Sequence, residues 1–498
     1  MTSAESIERF RSFRRELERS VLPLATSLDG RRFTLQAPLH DLALQVGAYA
    51  VLETADGSVF GQVTSLSPAV VDGPDVALGG ADGAQATDLR TRVPIRLAQG
   101  EGVVLAGGGK PFQDAVVRPA EPGEVRSQLE EGALSRGSLE IGELLLAPGV
   151  PLKLDAGGFS RHTFLCGQSG SGKTYSLGLL LERLLLDTSL RIVVLDPNSD
   201  YVRLAETRAG VDAELVTRHE ASTRGLTVRS AGDHGGERLR LRFAELDPSA
   251  QAAVLRLDPI DDRVEYAELL ELVETSKQAE LGSLFRLAME GGDEAKSLAL
   301  RARNLRIDQW AVWARSDPGS LIEELEGGDW RCLVVDLGSL GSREEQALTA
   351  EAVLGTLWRN RAAREPVLIV IDEAHNVCPQ FPADALTAFS TEHAVAIAGE
   401  GRKFGLYLLV STQRPQKVHE NVLSQCDNLI LMRMNSEADL RSIAETFSFV
   451  PWSLLSQAVT LAQGEALIAG KLFSHPAFAR FGRRVSEEGG GDVPANWA

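Results

Sequence analysis

The sequence is poor in cysteine. Cys166, Cys332, Cys378 and Cys426 stand far apart, form no C-x-x-C pair and have no histidine at zinc-ligand spacing. They read as reduced thiols of a cytoplasmic protein. No apolar run approaches the ~18 residues that a membrane span needs. The opening MTSAESIERFRSFRRELERS lacks the apolar core of a signal peptide, so a chain free of the membrane is expected. Positive charge is in deficit, 51 Lys and Arg against 69 Asp and Glu, for a formal net charge of −18. That disfavours a whole-surface coat on nucleic acid, but not a basic stripe confined to a ring or cleft. Internal repeats and low-complexity tracts are absent.

What is present is an ordinary globular composition: 498 residues, 44% apolar and 24% charged. At about 150 residues per domain, that length predicts two to four domains. Residues 1–32 read as a helix and arm, with Ile7, Phe10, Phe13 and Leu17 at helical spacing. Residues 33–140 hold short β-rich runs, among them Ala48–Glu53 and Val59–Thr64 around a tight Asp56-Gly57 turn, followed by a polar connection. This predicts a small β-barrel. From 141 to 246 and again from 329 to 485, apolar runs without polar alternation predict strands covered on both faces, in a mostly parallel α/β sheet. The runs are Thr163–Cys166, Arg191–Leu195, Cys332–Val335, Val367–Ile371 and Leu406–Val410. Residues 247–328 read as a helical insertion, and 486–498 as a tail without core pattern, an arm or a flexible end.

The sharpest motif is Gly167-Gln168-Ser169-Gly170-Ser171-Gly172-Lys173-Thr174, between a predicted strand and a helix opening at Tyr175. This is the P-loop pattern: glycines let successive N–H groups turn toward phosphate oxygens, and the helix N-terminus adds partial positive charge. Lys173 is expected to reach the β- and γ-phosphates of ATP, and Thr174 to hold Mg²⁺. A second motif ends the strand Val367–Ile371 in Asp372 and Glu373. On a strand beside the P-loop strand, these carboxylates suit water-mediated Mg²⁺ binding and polarisation of the attacking water respectively. His375 has two readings, a γ-phosphate sensor or a cap of the next helix. Gln413, at the end of the next apolar strand, is placed to hydrogen-bond the γ-phosphate or lytic water. Arg402 and Lys403, between glycines, form a loop that can present an arginine to a neighbouring subunit, or a solvated basic loop. Asp196, opening Asp196-Pro-Asn-Ser-Asp200-Tyr201, either orders Mg²⁺-bound water or forms a turn. Arg161-His162 precedes the P-loop strand and either faces a nucleotide or lies on the surface.

Together these motifs resemble the HerA family of the HerA/FtsK superfamily of P-loop DNA translocases. The resemblance covers most of the chain: VGAYAVLETADGSVFGQV, IGELLLAPGVPLKLD, VVLDPNSDY, VVDLGSL, VIDEAHN and, most specifically, EGRKFGLYLLVSTQRPQKVHENVLSQCDNLILMRM. No Leu-Ser-Gly-Gly-Gln signature of ABC ATPases occurs. The resemblance implies a RecA-like core behind a barrel of the kind shared with ATP-synthase subunits. It implies a homo-hexamer that hydrolyses ATP with Mg²⁺ at subunit interfaces and moves duplex DNA through a central channel. It also implies a NurA-like nuclease or a defence effector as partner, in DNA-end processing or antiviral defence. By the same resemblance Gly167 to Tyr175 bind the nucleotide, Thr174 and Asp372 the metal, and Glu373, Lys173 and Gln413 act on the γ-phosphate. Arg402 and Arg161 reach across the interface. The family's Asp-Pro-His-Gly-Glu-Tyr is replaced here by Asp196-Pro-Asn-Ser-Asp200-Tyr201. Arg301, Arg303 and Arg306 do not share one helical face, which argues against a single DNA-contacting row. The rival expectation is an ATP-gated ring that assembles a nuclease or effector without translocating; a rotary-ATPase-like subunit is disfavoured by the Arg402 and Gln413 elements.

Overall fold

The computed structural model describes residues 3–39, 43–77, 90–131, 137–232, 237–275, 281–314 and 319–490. Helix α1 (Ser3–Arg19) precedes six antiparallel strands: β1 (Leu24–Ser27), β2 (Arg32–Pro38), β3 (Tyr49–Thr54), β4 (Gly57–Ala77), β5 (Arg90–Ala106) and β6 (Phe112–Pro119). They pair in the order β1-β2-β5-β4-β3-β6, and β6 returns to β1, which closes the ring. Alternation in β2 turns Phe33, Leu35 and Ala37 into its core. Gly102 is required there, because a Cβ at that position would lie 2.1 Å from the Phe33 ring. Helix α1 is tied to the barrel by the buried Glu18, whose carboxylate accepts the Arg96 N–H. Beyond the barrel, Val70–Ala77 pairs with Arg90–Arg96 with no third strand among the described residues.

The second unit is built on one 12-stranded sheet. After α2 (Pro122–Glu131), its elements are β7 (Ser138–Leu144), β8 (Pro151–Asp155), β9 (His162–Cys166), α3 (Lys173–Asp187), β10 (Arg191–Asp196), α4 (Ala213–Ser222), β11 (Leu226–Ser230) and β12 (Glu237–Arg238). Between β12 and the next strand lie α5 (Pro248–Val254), α6 (Arg263–Thr275), α7 (Leu281–Glu290), α8 (Asp293–Asn304) and α9 (Leu321–Gly327). Then follow β13 (Cys332–Asp336), α10 (Arg343–Arg359), β14 (Val367–Ile371), α11 (Ala385–Glu400), β15 (Leu406–Thr412), β16 (Cys426–Met432), β17 (Glu465–Ala469) and β18 (Ala477–Phe481).

The strand order is β12-β11-β13-β10-β14-β15-β9-β16-β17-β18-β7-β8. Neighbours from β12 to β16 are parallel, and those from β16 onward antiparallel. Every residue of β9, β13 and β14 is buried, which explains their unbroken apolar runs: each strand is covered on both faces.

The acidic strand β14 is not beside the P-loop strand β9; β15 pairs with both and lies between them. Parallel strands buried on both faces all read as the same short apolar run, so periodicity does not rank them across a sheet. The tail, expected to lack core contacts, starts inside the core. Ser486 is fully buried, with its N–H 2.7 Å from the Glu182 carboxylate, and Arg484 pairs with the same buried Glu182 at 3.2 Å. A glutamate in α3 therefore anchors the start of the tail through charge and hydrogen bonds rather than apolar contact. Residues 491–498 fall outside the described residues. Among the described residues, no helix is long and apolar enough to cross a membrane.

Candidate active site

The loop after β9 owes its shape to its glycines. Gly170 (φ 73°) and Gly172 (φ 92°) take left-handed backbone that other residues adopt at a cost. A Cβ on Gly167 would stand 2.6 Å from Ser171 Oγ and 2.8 Å from Met432. Gly172 opens α3 without a side-chain cap, so the first N–H groups of the helix are left for a ligand, and a helix N-terminus suits an anion. Ser171 Oγ is buried with no hydrogen-bond partner among the described residues. Gln168 fixes the loop from the side: its N–H donates to Arg433 O, and its Oε1 accepts from the Asn435 N–H. Ser169 is exposed at the tip, and Thr174 is half-buried in the first turn of α3.

Lys173 is buried, and its ammonium is spoken for. Nζ lies 2.6 Å from Asp372 Oδ1, 3.1 Å from Glu373 Oε1 and 3.2 Å from Ser411 Oγ. Burial alone would lower its pKa; the two carboxylates outweigh burial and hold it above the ordinary lysine value. Asp372 is fully buried and also accepts from the Tyr201 hydroxyl at 3.3 Å. Glu373 sits at φ 42°, a left-handed conformation unusual for a non-glycine residue and of the kind found at functional sites. Its Oε1 accepts from Gln413 Nε2 at 2.9 Å. Its Oε2 makes no hydrogen bond among the described residues, although His375 Nδ1 is 3.3 Å away. Three strands thus deliver Lys173, Asp372, Glu373 and Gln413 to one point at the carboxyl ends of the sheet.

His375 is not a helix cap. Asp384 caps α11 by accepting the Thr387 N–H, whereas His375 Nδ1 lies 3.0 Å from Thr412 Oγ1, beside the carboxylates. Burial holds its pKa below the ordinary histidine value, partly offset by Glu373.

Asp196 is committed to its own turn. Its carboxylate accepts the N–H groups of Asn198, Asp200 and Tyr201, so the turn-forming alternative describes it. Burial pushes its carboxyl up to about 7 and that of Asp200, near Asp372, up to about 6. The sign follows from linkage. An acid whose folded pKa is raised above its unfolded value keeps its proton longer when folded, so stability is lost as pH rises between about 4 and about 7. Asp196→Asn removes the titrating group and, because both carboxylate oxygens accept N–H groups, one acceptor as well. The variant is expected to be the less stable near pH 4, and the gap to wild type to narrow as pH rises to about 7, where only the wild type loses stability. Denaturant melts across that range check it.

Tyr175 accepts the Arg484 N–H on its hydroxyl at 2.7 Å, and the Arg208 guanidinium covers its ring at 5.3 Å. The tail continues over the Asp196–Tyr201 turn, where Gly489 N–H donates to Asp200 O.

Other expected residues lie elsewhere. Arg161 precedes β9 and Arg402 precedes β15, whereas the P-loop and Gln413 follow those same strands. At about 3.3 Å per residue, five-residue β9 separates Arg161 from its own P-loop by about 16 Å. His162 does not face a ligand: it is buried in β9, its Nδ1 accepts the Leu408 N–H, and burial lowers its pKa to about 4. Arg301 is engaged within the insertion by Asp262 and Glu265.

Sequence reasoning overlooked Arg433, which follows β16 and donates to the P-loop carbonyl of Gly170 at 3.0 Å. Its signal, a polar residue ending an apolar strand, is the one that singled out Gln413. Tyr201 and Ser411 as partners of Asp372 and Lys173 had no local signal.

A P-loop opening a helix, with a parallel strand ending in two carboxylates against its lysine, defines a P-loop NTPase of mixed α/β architecture. Residues 139–298 match the family model described as "Helicase HerA, central domain". The chain is 26% identical over 401 residues to the "DNA double-strand break repair helicase HerA" of Pyrococcus furiosus, covering 69% of each chain. It is 24% identical over 478 residues to the protein of the same name from Sulfurisphaera tokodaii, covering 91% of this chain and 92% of the relative. Among solved structures, VirB4 of Thermoanaerobacter pseudethanolicus superposes with a TM-score of 0.48 at 16% identity, over 70% of this chain and 98% of that one. The chain is thus similar to HerA helicases over most of its length, and residues 139–298, which include the P-loop, match their central domain.

Proposed function

We propose that the protein is an ATP-driven motor that moves duplex DNA, working as a homo-hexameric ring and hydrolysing ATP between neighbouring subunits. The observation that carries the reading is the division of the site. The P-loop, Asp372, Glu373 and Gln413 end their strands, whereas Arg161 and Arg402 stand at the beginnings of two of them. One chain therefore holds half of the charge-stabilising groups that the reaction uses, and a second copy supplies the rest.

The residues fit a nucleotide with Mg²⁺. The orphaned Ser171 Oγ and the uncapped start of α3 are unmet polar groups at a glycine-built cradle. Thr174 and Asp372 are hard oxygen donors, the kind this cation takes alongside substrate phosphates. Bound Mg²⁺ would offset charge on the phosphates. Lys173 would turn from the carboxylates to the β- and γ-phosphates. Glu373, held by Gln413 and keeping Oε2 free, would accept the proton of the attacking water. Arg402 and Arg161 of the adjacent subunit would stabilise charge on the phosphoryl group. DNA would be held through its phosphates by basic residues facing the channel. The names of the relatives, which print DNA double-strand break repair, support a repair role; a NurA-like nuclease in DNA-end processing, or an effector in antiviral defence, is the partner proposed from the family resemblance.

The test is steady-state ATP hydrolysis with and without blunt duplex DNA at 50 and 200 mM salt. The expected result is stimulation several-fold by DNA at low salt, largely lost at the higher salt because phosphate contacts release counterions. Hydrolysis indifferent to DNA would overturn the motor and leave an ATP-gated scaffold that answers to its protein partner.

A further inference from the structure

Arg161 and Arg402 come from different strands, yet their guanidiniums meet on one atom. Arg402 NH1 lies 2.6 Å from Asp427 Oδ2, and Arg161 NH1 lies 3.5 Å from the same oxygen. Each arginine is about one-third to one-half exposed, so both are open to a partner beyond this chain.

The mount of Asp427 is rigid. It is the extra residue of a bulge in β16: Cys426 pairs with His162 and Asn428 with Thr163, so Asp427 has no counterpart on β9. A bulge leaves one residue out of the ladder and re-aims its side chain. On its C-terminal side, Asn428 is fully buried and pinned. Its Nδ2 donates to Gly158 O and Thr163 Oγ1, and its Oδ1 accepts the Lys471 N–H. Gly470, at φ 107°, leaves room for the backbone: a Cβ there would stand 2.2 Å from Asp427 O.

On the reading proposed above, in which both arginines serve the neighbour's nucleotide, we infer that Asp427 is the positioning residue that aligns them as a pair. Two guanidiniums side by side repel each other, and each free side chain samples many rotamers. A carboxylate fixed between them cancels the repulsion and restricts both, and the trio keeps one net positive charge to offer a phosphate. Asp427 itself touches no reacting atom; it acts through Arg161 and Arg402.

The test uses full-length chains. Asp427→Asn keeps size and removes charge, and is expected to lower kcat for ATP at least about 10-fold with KM within about 3-fold. Its unfolding midpoint and its own nucleotide binding stay at wild-type values. Asp427→Glu recovers part of the rate. The decisive readout is subunit mixing. Glu373→Gln chains lack the base at their own P-loop but keep the arginine face; Asp427→Asn chains are the reverse. Mixed in equal amounts, two poorly active proteins regain up to about a quarter of wild-type hydrolysis, the share of complementary interfaces in a randomly mixed head-to-tail ring. An Arg402→Ala plus Glu373→Gln mixture is the control. Recovery in the control with wild-type kcat for Asp427→Asn alone, or with no recovery in the Asp427→Asn mixture, overturns the role of Asp427 and leaves the shared site standing. Wild-type hydrolysis by Arg402→Ala alone overturns both.

Discussion

Glu373→Gln is expected to lower ATP hydrolysis about 10³-fold while leaving nucleotide binding nearly intact. Gln keeps the side-chain length and meets the same left-handed backbone at φ 42°, so the strain is unchanged and the variant isolates the chemistry. What it removes is a carboxylate with one oxygen held by Gln413 and the other buried without a hydrogen bond among the described residues. A positioned general base contributes on the order of 10²–10⁴ in rate, and the amide takes no proton from water. Single-turnover hydrolysis beside equilibrium binding of labelled ATP separates the two effects. Retention of more than a tenth of the rate would assign the base to another group, His375 being the histidine beside Glu373, at 3.3 Å.

Lys173→Ala is expected to destabilise the protein itself, before any nucleotide is added. Lys173 is buried against the fully buried Asp372 and the nearly buried Glu373. Removing one partner of a buried pair costs about 3–5 kcal/mol, because the charge left behind has neither water nor counterion. Denaturant unfolding of the nucleotide-free protein measures it. The double variant Lys173→Ala, Asp372→Asn should recover much of that loss and none of the hydrolysis. If the single variant unfolds like wild type, water reaches the carboxylates and the lysine is not a structural counterion.

Such a coupling was only partly legible in the sequence. The P-loop and the Asp372-Glu373 pair are local patterns whose residues sit together in the chain and keep that proximity in space. Gln413 was found because a polar residue ending an apolar strand is conspicuous. The order of the strands was not legible, since β9, β10, β14 and β15 carry the same unalternating apolar signature; hence the misplaced β14. Neither was the Tyr201 bond to Asp372, which joins residues 171 positions apart. The cap reading of His375 presumed a helix directly after it, but α11 begins only after Asp384, which caps it. Asp427 was invisible for a further reason: a one-residue bulge leaves no mark on hydrophobic periodicity, yet it decides which way a carboxylate points.

Strand β9 carries Arg161 at its beginning and the P-loop at its end, and its interior is packed too tightly to stretch. Its length is therefore a fixed pitch. In a ring of the proposed kind, every subunit would set the same interval between the nucleotide it holds and the one it serves, whatever the state of its surface loops. The strand also has a direction. A copy turned front to front would bring two P-loops together with neither Arg161 nor Arg402 between them, so association in that sense gains nothing from ATP, and only head-to-tail growth is rewarded.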